Sequence, residues 1–228
     1  MNMNITYQDD AVMIIDNFLS DTDFNKVLDQ LECESYKKVE LGHDKVYKLN
    51  AGDIYKSKTK YWYSKQPWNN NYEPFIHSLA SFLKSNNVFE FNDVSLMVHA
   101  YLQGAGLGWH SDNVNIGAFT FYCHREWRHT WGGSLLVSNN IATSIRPSKD
   151  PLPGTALNDM WGELYSARGA TFDLDVENEL VMDGGIGHYV LPLPNRLAII
   201  KKNVFHKVDR VDQSAGENCR VSLTGFFR

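Results

Sequence analysis

The sequence predicts an α+β chain, mainly β, in which two helices back a β-sandwich or barrel. Three observations carry this. Before residue 87, two segments repeat their apolar residues at helical spacing. After it, short segments alternate apolar and polar residues, and Gly, Pro and Asn separate them as turns. At 228 residues and 43% hydrophobic composition the chain is long enough for one real core. We read 1–228 as a single domain: 1–92 as strand-and-helix support and 93–228 as the β core.

Taken in order, "AVMIIDNFLS" reads as a short buried strand and a turn. "SDTDFNKVLDQLE" follows as a helix capped by Ser20 or Asp21, with Phe24, Val27, Leu28 and Leu31 on one side. From Tyr36 to Lys65 the chain is polar and Lys-rich, broken by Gly42 and Gly52. "EPFIHSLASFLKSN" is the second helix, with Pro74 in its first turn and Phe75, Leu79, Phe82 and Leu83 facing one way. "VSLMVHAYL" then alternates: Leu96, Val98, Ala100 and Leu102 on one face, Met97, His99 and Tyr101 on the other. "GAFTFYCH", "GGSLLVS", "HYVLPL", "RLAIIKK" and "RVSLTGFF" complete the strands. The stretch from about 139 to 187 is long for a hairpin connection and reads as an insertion between core strands.

Composition excludes several classes. A formal charge of −5 with no basic stripe argues against a general nucleic-acid grip. No apolar run reaches the roughly 20 residues of a membrane span, and the N-terminus lacks the basic and apolar regions of a secretory signal. Cys33, Cys123 and Cys219 are sparse and odd in number, which suggests a reducing compartment and a cytoplasmic location.

The chemistry begins at "WHSDN". On a strand, residues i and i+2 point the same way, so His110 and Asp112 can aim an imidazole and a carboxylate at one point. His206, just beyond the apolar strand "RLAII", is the best third ligand. Two His and one carboxylate leave positions open for substrate and O₂, which suits non-haem Fe(II); a zinc hydrolase uses similar sites but leaves Arg220 unexplained. In "CRVSLTGFFR", Arg220, Ser222, Thr224 and Phe226 share one face. A permanently charged fork inside a barrel needs a carboxylate, from the protein or from a ligand. Tyr122 can add a hydroxyl to the same pocket. Gly132 and Gly133 are equally a turn device or a site feature. Trp109 and Trp131 either line the mouth or pack, and His99 and His124 read as inner-face histidines rather than ligands.

The order His110-x-Asp112, Gly132-Gly133-Ser134-Leu135, His206, Arg220-x-Ser222-x-Thr224 resembles the Fe(II)/2-oxoglutarate-dependent dioxygenases, most of all the prolyl 4-hydroxylase type, including the oxygen-sensing prolyl hydroxylases. The resemblance covers about Val94 to Arg228. It implies a double-stranded β-helix, a jelly-roll, cupin-like barrel. It implies Fe(II) on His110, Asp112 and His206, and 2-oxoglutarate on Arg220, helped by Tyr122 and Ser222, with Tyr101 close by. O₂ would be the oxidant and ascorbate a supporting reductant. The halogenases of this group replace the carboxylate with a small residue, so Asp112 argues for hydroxylation of an unactivated C–H bond. The substrate implied is an amino-acid residue in a peptide or protein, or a free amino acid. A small biosynthetic intermediate and a non-catalytic ligand-binding barrel are the alternatives. Neither a nucleic-acid nor a membrane partner is expected. Because the barrel holds the chemistry, selectivity is expected from two segments around its open end. One is the basic, aromatic Tyr36 to Trp68; the other is the acidic Asp150 to Ile186.

Overall fold

The computed structural model describes residues 3–39, 50–51, 53–58, 60–63, 72–112, 115–141, 170–171 and 185–228. The chain opens with an antiparallel hairpin of β1 (Asn4–Gln8) and β2 (Val12–Asp16). β2 is the expected buried strand. β1 lies outside the expected elements: all five of its residues are exposed, so no burial pattern marks it.

Both helices form where their spacing predicts. α1 (Asp21–Glu32) is capped by Ser20, whose hydroxyl accepts from the Asp23 N–H at 3.1 Å, and it buries Val27, Leu28 and Leu31. α2 (Glu73–Asn86) has Pro74 in its first turn and ends at Asn87 in the left-handed region, φ 50°. It buries Phe75, Ile76, Leu79, Phe82 and Leu83. The two apolar faces meet Leu96, Phe119, Phe121, Leu223 and Phe227 in one cluster, with Phe75 stacked on Phe121 at 4.8 Å. The N-terminal region and the strands therefore share a core.

Four short strands follow α1 or precede α2: β3 (Lys37–Lys38), β4 (Asn50–Ala51), β5 (Ile54–Lys56) and β6 (Lys60–Tyr63). The core strands are β7 (Asp93–Tyr101), β8 (Gly106–Asp112), β9 (Gly117–Tyr122), β10 (Leu135–Ile141), β12 (Gly187–Val190), β13 (Leu197–Lys201), β14 (Val204–Val208) and β15 (Arg220–Phe227), with β11 (Ala170–Thr171) inside the insertion. The nine-stranded sheet runs β1-β2-β13-β9-β15-β7-β5-β3, with β6 also on β7. The six-stranded sheet runs β11-β8-β14-β10-β12, with β4 also on β8. From β7 to β10 and again from β12 to β15 the chain alternates between the sheets, which is the winding of a double-stranded β-helix.

The space between the sheets divides in two. On the β2, β13, β12 side it is filled by aliphatic residues, among them Val12, Ile14, Leu135, Val137, Ile200 and Val204. On the β7, β15, β8, β14 side it holds polar groups. Two details depart from the sequence reading. The Tyr36–Lys65 stretch is not a bare polar connection: where described, it adds strands to β7 and β8, too short and Lys-rich to show a period. His206 lies just beyond β13, as read, but within a further strand the reading does not name, β14, reached by a turn with Asn203 at φ 62°. The charged loops expected to meet over the barrel fall largely at 40–49, 64–71, 142–169 and 172–184, outside the described residues.

Candidate metal centre and its polar pocket

β8 and β14 are antiparallel neighbours whose register sets His206 opposite His110. Asp112, two residues on from His110, shares its face. One ligand atom from each of the three lies within 4.8 Å of the others, and the imidazole centroids are 4.2 Å apart. His110 Nδ1 is 2.8 Å from the Gly108 carbonyl and His206 Nδ1 is 3.0 Å from that of Val204. Those acceptors favour the Nδ1–H tautomers and turn each Nε2 toward the centre.

Burial and mutual charge set the protonation of the cluster. Burial, then the neighbouring His206, pushes His110 down to about 4, so its ring is neutral. Burial alone would raise Asp112, but the hydrogen bond and charge of His206, with those of His110, outweigh it and hold the carboxyl below its usual range. Burial alone would lower His206, but Asp112, 3.4 Å from its Nε2, outweighs it and raises it. A carboxylate and two imidazoles converging in a buried space suit a divalent cation, which would displace the proton held between His206 and Asp112.

Arg220, only 1% exposed, lies on β15, in the other sheet from β8 and β14. Its flanking pairs across the sheet are Tyr101 on β7 and, by extension of the β9 register, His124; one row on, Ser222 stands between His99 and Tyr122. Its Nε donates to the Gly133 carbonyl at 2.6 Å and Nη1 to Ser222 Oγ at 3.3 Å. The Tyr101 and Tyr122 rings lie 5.1 and 5.0 Å from its guanidinium carbon. Among the described residues its Nη2 has no hydrogen-bond partner, nor do the buried Tyr122 Oη and Ser134 Oγ. Among the described residues no carboxylate pairs with Arg220. Tyr122 is raised by burial, against the pull of Arg220, so its hydroxyl remains a donor. A free guanidinium nitrogen beside the Tyr122 ring, with a buried phenol that lacks an acceptor, suits a carboxylate.

The other candidates sort by parity. His99 binds Thr224 Oγ1 at 2.6 Å and is pushed down to about 3 by burial, Lys56 and Arg220. His124 donates from Nε2 to the Pro192 carbonyl at 2.6 Å, and burial leads its fall to about 4. Neither joins the metal cluster. Trp131 packs in a plug with Ile54, Tyr101, Ala105, Val208 and Val211, and Trp109 shares no face with His110. The sequence reading assigns Ser134 no role; a small hydroxyl next to two glycines is the signal it offers.

Comparison with known proteins agrees with this geometry. The family model described as the 2OG-Fe(II) oxygenase superfamily matches residues 96–228, more than half of the chain. No curated protein sequence matches significantly. Among solved structures, a Pseudomonas putida prolyl-4-hydroxylase is similar with a TM-score of 0.57 at 14% identity, covering 96% of this chain and 92% of its own. A 2OG-Fe(II) oxygenase-family oxidoreductase from Burkholderia pseudomallei gives 0.55 at 13%, covering 95% and 84%. A Trichoplax adhaerens prolyl hydroxylase, in complex with a hypoxia inducible factor peptide fragment, gives 0.52 at 14%, covering 95% and 83%. At such identities these likenesses concern the fold.

Proposed function

Because the chain belongs to the 2OG-Fe(II) oxygenase superfamily, and so is a dioxygenase using Fe(II), 2-oxoglutarate and O₂, we propose which of its residues do the work and on what. His110, Asp112 and His206 hold the iron. Arg220 takes the distal carboxylate of 2-oxoglutarate, with Tyr122 and Ser134 as further donors. Ser222 acts through Arg220, and Tyr101 packs against the guanidinium. The bound iron and its co-substrates supply an oxidant that places one oxygen atom into a C–H bond while 2-oxoglutarate becomes succinate and CO₂.

The observation that carries this reading is the buried Arg220, whose Nη2 has no partner among the described residues, in a chain that also brings two histidines and an aspartate together. A buried charge without a partner is costly, and a carboxylate ligand removes that cost. Burial keeps water off the pair and strengthens it. His99 and His124 stay neutral beside Arg220 and do not compete for the anion.

For the substrate we propose an amino-acid residue in a peptide, supported by the peptide complex of the similarly folded Trichoplax enzyme. The test is succinate formation from 2-oxoglutarate with Fe(II), run against a panel of proline-containing and other peptides and read for a mass gain of one oxygen atom. His110→Ala, Asp112→Ala and His206→Ala should each abolish both signals with the fold kept. Full turnover in His206→Ala would sink the ligand assignment. Product from free amino acids alone would sink the peptide reading.

A further inference from the structure

A guanidinium with no carboxylate partner needs something else to hold it still. Arg220 has one strong hydrogen bond, from Nε to the Gly133 carbonyl at 2.6 Å. The peptide that precedes that carbonyl is itself fixed. Gly133 N–H donates to the Arg210 carbonyl at 3.0 Å, Gly132 bridges to Val211, and the Trp127 indole N–H donates to the Gly132 carbonyl at 2.9 Å. Trp127 is held in turn, edge-on to Trp131 at 5.2 Å and against His124 at 4.9 Å.

The turn also requires two glycines for separate reasons. Gly132 has φ 65° and ψ −146°, a conformation open in practice to glycine alone, and an added Cβ would lie 2.3 Å from the Arg210 carbonyl oxygen. Gly133 has φ 69°, and its added Cβ would lie 2.8 Å from Arg220 Cδ and 3.4 Å from Trp127 Cζ2. The space a side chain would take at 133 is the space the arginine stem occupies.

We infer that the Trp127–Gly132–Gly133 turn positions Arg220 for its carboxylate. Gly133 supplies both the acceptor that orients Nε and the gap the stem passes through, and Trp127 locks the Gly132–Gly133 peptide that leads into it. The fork then meets its ligand already aligned, with no side-chain freedom left to lose. This rests on the reading of Arg220 as the 2-oxoglutarate residue. Gly133 and Trp127 are positioning residues and touch no reacting atom.

The experiment measures the Kd for 2-oxoglutarate by calorimetry on the Mn(II)-loaded protein, with the Mn(II) Kd and Tm taken in parallel. Gly133→Ala should weaken 2-oxoglutarate binding by about tenfold or more, and Trp127→Phe, which keeps the ring and loses the indole donor, by about three- to tenfold. The Mn(II) Kd should not change in either. Gly104→Ala is the strain control: Gly104 also has a left-handed φ, 78°, but nothing lies within 4 Å of its added Cβ. It should bind 2-oxoglutarate as the wild type does, even where Tm falls. In an Arg220→Ala background, Gly133→Ala and Trp127→Phe should weaken the residual affinity no further. Wild-type affinity in Gly133→Ala, equal loss in Gly104→Ala, or a full additional loss in the Arg220→Ala background would each overturn the inference. If Gly133→Ala does not fold, Trp127→Phe decides alone, and an unchanged Kd rejects the idea. A wild-type protein that binds Mn(II) but not 2-oxoglutarate would instead bring down the reading of Arg220, and the inference with it.

Discussion

Arg220 is a residue whose contribution to binding and whose contribution to stability oppose each other. Buried to 1% exposure, with Nη2 unpartnered among the described residues, it costs free energy in the ligand-free protein. Arg220→Met should therefore leave the ligand-free Tm unchanged or higher while removing 2-oxoglutarate binding; a clear fall in Tm would count against this account. Arg220→Ala should lose about 2–5 kcal/mol of 2-oxoglutarate affinity, because it removes a bidentate charged partner in a buried pocket. Arg220→Lys should rescue only part of it, since an ammonium cannot reproduce the planar fork. Equilibrium binding on the three variants checks both statements.

Among elements, the β2 strand depends on a partner far away in sequence. Arg196, just before β13, donates from Nε and Nη2 to the two carboxylate oxygens of Asp16 at 2.6 and 2.9 Å, and from Nη1 to the Leu191 carbonyl. The Arg196 hydrogen bond, working against burial, holds the Asp16 carboxyl below its ordinary value. A depressed carboxylate contributes stability above its unfolded pKa of about 3.9 and loses it as pH falls through the lower folded value. Arg196→Ala should cost about 1 kcal/mol at neutral pH, after allowance for solvent screening of a partly exposed pair. Urea midpoints taken at neutral pH and below pH 3 should converge for the two proteins; an equal gap at both would refute the assignment. At α1, Ser20→Ala should remove the cap hydrogen bond and cost about 1 kcal/mol in the same assay. β8 carries the site and is flanked by β11 at Ser111 and Asp112 and by β4 at Gly106 and Leu107, so the acidic segment borders Asp112 and the basic segment reaches the start of the same strand. On the opposite sheet, Lys56 shares a face with His99 and pairs with Lys37. We expect substrate selectivity to respond to Lys37→Glu and Lys56→Glu with 2-oxoglutarate affinity unchanged, which parallel Kd and peptide-panel measurements would show.

For the whole molecule, the His110–Asp112–His206 cluster joins β8 to β14, and a metal ion that binds only the folded chain there would stabilise it by mass action. At about a hundredfold excess over Kd, Mn(II) should add ~2.7 kcal/mol, a rise of roughly 5–10 °C in Tm for a domain of this size. A chelator should reverse it, and Asp112→Ala should show no rise. A metal-independent Tm in the wild type would contradict a centre built across two strands.

The sequence by itself determined the local order. Helix limits, a cap at Ser20 or Asp21, the faces of β7 and β15, and the shared face of His110 and Asp112 all follow from spacing along one strand or helix, where geometry repeats. Most of the chemistry was legible for that reason. Only the tertiary structure decided what depends on register between distant strands. It set His206 opposite His110 and stood Arg220 between Tyr101 and His124. It left Arg220 without a carboxylate among the described residues and gave its Nε the carbonyl of Gly133, 87 positions away. A two-glycine turn written in sequence is any turn; it becomes a support for an arginine only when the sheet brings that arginine into the space where a Cβ would have been.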